Sequence, residues 1–211
     1  MYLCISNRIQ NNMLDTAIPF EIHITTDSFP IDRQAEFINF CATRTAKPLM
    51  IELSQGDFIH QPMYTQVVHA HDFDQVLSFA TDISNALSQQ SFGVKRLKIE
   101  IPSDHFELFQ DHSTTFDRYF EWHCKINYTQ PEQLLQRCEA HKVHLSLNSL
   151  KNEPNIRFVT LREYGTKGVF EQRKTALLHD LQNGGWTTLK QQSEYCIYDN
   201  NDFLDHGWLP Q

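Results

Sequence analysis

Basic residues are in deficit, long apolar runs are missing, and no two cysteines have a motif spacing. With 18 Lys and Arg against 26 Asp and Glu, the chain carries a formal net charge of −8. It offers no basic stretch to neutralise phosphates or to settle on an anionic leaflet, so neither nucleic acid nor membrane is the expected partner. No apolar run approaches the roughly 18 residues that cross a bilayer. The polar segment from Met1 to Met13 has no apolar stretch of the kind a secretory signal needs. The cysteines (Cys4, Cys41, Cys124, Cys138 and Cys196) are odd in number, widely spaced and without a Cys-x-x-Cys pair. Reduced thiols in a cytoplasmic protein are the expectation. Also missing are a Gly-x-Gly-x-x-Gly turn, a phosphate-binding loop, a Gly-x-Ser-x-Gly elbow and a His-Glu-x-x-His pair. No motif therefore names a reaction, and the cofactor is unknown.

What is present is a repeat. Phe20-Glu21-Ile22-His23 is answered 100 residues later by Phe120-Glu121-Trp122-His123. Each copy is followed by a turn with proline (Pro30, Pro131) and a helical stretch with apolar residues at helical spacing: Phe37, Phe40 and Cys41 in the first, Leu134, Leu135 and Cys138 in the second. Alternating segments come next, Leu49-Ile51-Leu53 and Val143-Leu145-Leu147, then further strand-like runs at Tyr64 to Ala70 and Arg157 to Glu163. A second amphipathic helix and a last strand close each half, the strands being Arg96 to Ile101 and Glu194 to Asp199.

Each half reads strand, helix, strand, strand, helix, strand. That order predicts an α+β protein of two tandem ferredoxin-like βαββαβ lobes, arisen by internal duplication, with a polar interlobe cleft. The expected boundaries are an N-terminal arm at 1–18, lobe 1 at 19–101, a linker at 102–118, and lobe 2 with a C-terminal extension at 119–211.

Strand alternation then divides the side chains between two faces. Leu49, Ile51, Leu53 and the apolar residues around Ile22 and Trp122 are expected against the helices. The opposite parity carries Glu21, His23, Lys98, Glu121, His123, Lys125, His144, Ser146, Asn148, Arg162, Cys196 and Tyr198. Two Glu-x-His pairs at matched places suit acid–base work, since a carboxylate tunes a neighbouring imidazole. His23 and His123 are the expected acid and base, with Glu21 and Glu121 as orienting partners. The same His and Glu have the donor types for a divalent metal, but Lys98, Lys125 and Arg162 on that face argue against one, and no metal ligand is assigned. Those cations suit a phosphate or carboxylate. Lys98, Lys125, His144, Ser146, Asn148, Arg162 and Tyr198 are accordingly the expected ligand-binding set.

His23-Ile24-Thr25 is similar to the His-x-Thr/Ser motif that the 2H phosphoesterases, duplicated two-lobed enzymes, carry in each lobe. The second copy, His123-Cys124-Lys125, departs from it with Lys in place of the hydroxyl residue. The likeness covers three residues and the duplication, so no family is assigned. His69-Ala-His71 precedes a helix that Asp72 or Asp74 is expected to cap. Asp199 to Asp205 lacks the glycine and distal Glu of a calcium loop and reads as a turn.

The expected function is binding of a small anionic or phosphorylated ligand in the cleft, with His acid–base catalysis as its catalytic form. The alternative is a non-catalytic ligand sensor or interaction protein that pairs through its open sheet faces, in which Tyr119, Trp186 and Trp208 supply contact surface. A homo-oligomer is compatible with either.

Overall fold

The computed structural model of the protein describes residues 16–109, 118–151 and 153–208. The expected arm lies outside these residues except for 16–18, as does the 110–117 part of the expected linker. The described strands are β1 (Ile18–Thr26), β2 (Lys47–Leu53), β3 (His60–Ala70), β4 (Val94–Pro102), β5 (Tyr119–Asn127), β6 (His144–Asn148), β7 (Ile156–Glu163) and β8 (Thr188–Asp199). The helices are α1 (Gln34–Ala42), α2 (Phe73–Gln89), α3 (Pro131–His141) and α4 (Lys167–Asn183).

Local chemistry explains the helices. In α2, Val76, Ala80, Ile83 and Leu87 form one buried stripe, and the Asp72 carboxylate caps the start by accepting from the Asp74 amide at 3.0 Å. In α4, the Thr166 hydroxyl accepts from the Val169 amide at 3.3 Å, and Phe170, Leu177 and Leu181 face inward. Pro131 opens α3, where its missing N–H costs nothing.

The strands close into one antiparallel barrel in the order β1-β3-β2-β6-β7-β5-β8-β4. This corrects the expectation of two open ferredoxin-like lobes facing each other across a cleft. The halves join edge to edge instead, β2 with β6 and β4 with β8. An open sheet leaves unpaired N–H and C=O groups on its outer strands, and closure removes both edges of both halves at once. The polar faces assigned to a cleft become the barrel interior, and the helices pack on the outside. Among the described residues, no helix is long and apolar enough to cross a membrane.

Between barrel and helices lies the hydrophobic core, with Phe20, Ile22, Ile24, Trp122, Cys124, Ile126, Val159 and Phe170 all fully buried. Two parts of the expected parity are reversed. On β2 it is Met50 that packs against this core, while Ile51 pairs with Gln61 and Asn148 and so shares the interior face with them. Leu49, Ile51 and Leu53 therefore form an apolar section of the inner wall. On β8 a bulge opposite Ile99 and Glu100 shifts the register, pairing Ile99 with Tyr198 but Glu100 with Cys196. The extra residue flips the alternation. Tyr198 turns outward against Phe73, with ring centroids 6.3 Å apart, and Asp199 turns inward.

The two kinds of apolar position differ in what truncation costs. Ile22→Ala, at 0% exposure beneath the helices, should destabilise the protein by about 3 kcal/mol. Ile51→Ala, on the half-buried inner wall, should cost about 1 kcal/mol. Chemical denaturation of both variants checks this, and equal losses would restore the original β2 parity.

Candidate functional site

Side chains of alternating sign run through the barrel interior. Asp199 holds Arg96 at 2.5 Å, Arg96 reaches Asp205 at 2.9 Å, and Asp205 meets Arg162 at 2.7 Å. Arg162 continues to Glu121 at 2.6 Å, Glu121 to Lys98 at 2.8 Å, Lys98 to Glu100 at 2.9 Å, and Glu100 to His23 Nε2 at 3.1 Å. Asp205 enters from a short helical turn (Asp202–Asp205) after β8. The Gln61 amide donates to the Leu204 carbonyl at 3.1 Å and the Trp208 indole N–H to the Leu145 carbonyl at 3.3 Å, so this C-terminal segment plugs one end of the barrel.

Burial alone would neutralise these groups, but their partners overcome it. Arg162 and Lys98 hold Glu121 well below the usual carboxylate range. Glu100 and Glu121 raise Lys98, and Glu121, Tyr119 and Asp205 raise Arg162. The three inner cations Arg96, Lys98 and Arg162 are thus fully committed to carboxylates.

The repeat shows where the halves diverge. Both histidines keep one arrangement: His23 pairs across the sheet with Thr65 and His123 with Thr160, each Nδ1 lying 3.0 Å from the threonine hydroxyl. Both glutamates face another glutamate, Glu21 opposite Glu100 and Glu121 opposite Glu194. On the other flank the symmetry fails. Glu121 lies opposite Arg162, but Glu21 lies opposite Val67. Likewise Lys98 stands beside His23 where Gln192 stands beside His123.

The half with Val67 therefore leaves a carboxylate-rich mouth. A cleft of about 190 Å³ opens there, lined by Glu21, Glu100, Glu194, Gln192, Ser193 and apolar neighbours, with no basic side chain in its walls among the described residues. The Gln192 amide donates to Glu21 Oε2 at 2.8 Å and Glu194 Oε1 at 2.7 Å, bridging the pair. Burial, together with the negative charge of Glu100 and Glu21, pushes Glu194 well above the usual carboxylate range. Glu21 goes the other way: His23 and the hydrogen bonds from Glu194 and Gln192 outweigh its burial.

The expected residues are sorted by this geometry. Glu21 lines the mouth, and the histidines stand behind its wall, His23 Nε2 at 3.1 Å from Glu100 and His123 Nε2 at 3.3 Å from Glu121 and 3.6 Å from Glu194. Glu121, Lys98 and Arg162 belong to the ion-pair chain rather than to the opening. Lys125 turns toward Glu153 at 2.8 Å, near the surface. Asn148 staples the β2–β6 seam, its Oδ1 accepting from the Met50 amide at 3.1 Å, and Ser146 is a buried neighbour of Leu53. His144 lies 5.7 Å from the Trp208 ring, toward the plugged end, and Tyr198 faces the helices. Tyr119, Trp186 and Trp208, expected as contact surface, are all buried. Cys196 is inside, but burial holds it as a neutral thiol.

Sequence reasoning left out Glu194, Gln192 and Asp205. Residues 188–193 of β8 carry no apolar alternation to announce a strand, and nothing local distinguishes Asp205 from a turn residue. Glu100 and Arg96 have the inward parity, but only their partners give them a role. No protein-family model matches the chain, and a search of curated proteins returns no significant match.

Two outcomes follow from this interior. Arg162→Met strands Glu121 and Asp205 without their shared cation and should cost about 3–5 kcal/mol in chemical denaturation. Pairing it with Glu121→Gln should recover part of that loss. For His144, burial and the Arg162 charge bring the pKa from 6.5 to about 4. The unfolded chain then binds a proton that the folded one refuses, so stability falls as pH drops from 6.5 toward 4. His144→Asn should flatten the melting-temperature profile in that window, and an unchanged slope would assign it to other groups.

Proposed function

We propose that the protein binds a small cationic ligand in the open mouth of its barrel. The observation that carries this reading is the cleft wall: three carboxylates, Glu21, Glu100 and Glu194, and no lysine or arginine among the described residues. The cleft is smaller than the roughly 300–1,000 Å³ of a drug-sized site, so it suits an ion or a single charged group such as an alkylammonium or guanidinium. An anion, the ligand expected from the sequence, would have to take Lys98 or Arg162 from partners at 2.6–2.9 Å. That exchange leaves buried carboxylates unpaired, which is costly. A cation displaces nothing of the kind.

His23 and His123 flank the carboxylates and give the site proton-carrying groups beside whatever it holds. A cytoplasmic setting belongs to the same proposal, supported by the free, buried thiols of Cys41, Cys124, Cys138 and Cys196.

Thermal shift against a panel of divalent metal chlorides, methylguanidine, putrescine, phosphate and citrate tests the charge of the ligand. A ligand that binds the folded state raises the melting temperature. At least one cation should do so, and Glu21→Gln should reduce the shift, while phosphate and citrate leave it unchanged. Stabilisation by the anions alone would overturn the proposal.

A further inference from the structure

We infer that the cation held at the barrel mouth is a divalent first-row metal ion, bound by Glu21, His23 and Glu194. The inference rests on the cationic-ligand reading and names the ligand class.

One oxygen from each glutamate and one imidazole nitrogen lie within 4.8 Å of one another. Donors about 2.1 Å from a shared ion stand at most about 4.2 Å apart, a separation that small side-chain rotations can reach from within 4.8 Å. The three residues come from β1 and β8, which are not neighbours in the barrel. Their convergence is a product of closure rather than of local sequence.

The surroundings are organised as a metal site requires. Thr65 Oγ1 engages His23 Nδ1 at 3.0 Å, which leaves Nε2 as the ligating atom and fixes the ring. Gln192 holds one oxygen of each glutamate, Glu21 Oε2 and Glu194 Oε1, and so fixes the two carboxyl groups side by side, with Glu194 Oε2 turned toward His123 at 3.6 Å.

Glu100 is the independent sign. It is 0% exposed and lines the same cleft, and neither carboxylate oxygen makes a hydrogen bond of regular geometry among the described residues. Its Oε2 is ion-paired with Lys98 at 2.9 Å and His23 at 3.1 Å, while Oε1 has no partner among the described residues. A buried carboxylate oxygen without a donor is expensive, and a cation beside Oε1 supplies a partner that the described residues do not. One nitrogen and two or three oxygens form a borderline donor set, suited to Zn²⁺, Co²⁺ or Mn²⁺ rather than to the all-oxygen preference of Mg²⁺ or Ca²⁺.

The test is titration of the full-length chain, stripped with chelator, with Co²⁺ followed by visible absorption and with Zn²⁺ followed by calorimetry. One equivalent should bind and produce ligand-field bands. His23→Ala and Glu194→Gln should each weaken it at least tenfold, and Thr65→Val, which removes a positioning group, about tenfold. His179→Ala, exposed on α4 and away from the barrel mouth, should bind as wild type does. Circular dichroism of each variant separates lost binding from lost folding. Absence of saturable Co²⁺ and Zn²⁺ binding, or equal affinity in folded His23→Ala and Glu194→Gln, overturns the metal. If methylguanidine or putrescine still binds and Glu21→Gln weakens it, the cationic-ligand reading survives without the metal. If no cation binds, both fall.

Discussion

The structure depends on carrying ionised groups through the inside of a closed barrel without leaving any of them alone. Carboxylates outnumber the three guanidinium and ammonium groups there, and the solution is strict alternation from Asp199 through Arg96, Asp205, Arg162, Glu121 and Lys98 to Glu100. Such a chain adds little net stability compared with an apolar filling, because each charge is first stripped of water. Its consequence is selectivity. A strand slipped by one residue would turn its charges out to the helices and put apolar side chains in their place, stranding every partner. The C-terminal segment joins the same bookkeeping, since Asp205 is shared by two arginines and brings the plug to one end.

Barrel closure and charge pairing support each other. Joining β2 to β6 and β4 to β8 satisfies the backbone edges, and it also brings Arg96 and Lys98 of the first half against Asp199 and Glu121 of the second. Neither half balances its own charge. The polar face of the first supplies the cations that the second needs, so the two form one unit rather than independent lobes.

The two copies of the sequence repeat show where the balance stops. The histidine–threonine and glutamate–glutamate pairs are kept in both halves, whereas Arg162 opposite Glu121 has Val67 as its counterpart opposite Glu21. Glu121 is neutralised from within by Arg162 and Lys98, whereas Glu21, Glu100 and Glu194 face the cleft. The mouth owes its charge to two departures from symmetry, Val67 in the place of Arg162 and Gln192 in the place of Lys98.

The sequence by itself determined the local elements and much of the sorting of faces. The repeat of Phe-Glu-x-His and the apolar stripes of α1 to α4 set the order of strands and helices, since periodicity and caps are read from neighbours in the chain. The inward parity of Glu21, His23, Glu121, His123 and Arg162 followed from alternation alone. Tertiary structure decided the rest. Strand alternation does not say whether an edge meets solvent, a partner or the other half, so closure was not legible. The bulge in β8, which sends Tyr198 outward and Asp199 inward, depends on the register against β4. The joining of Glu194 and Gln192 to Glu21 across 171 residues was decided last, because it takes the β4–β8 seam between the halves to bring β8 within one strand of β1.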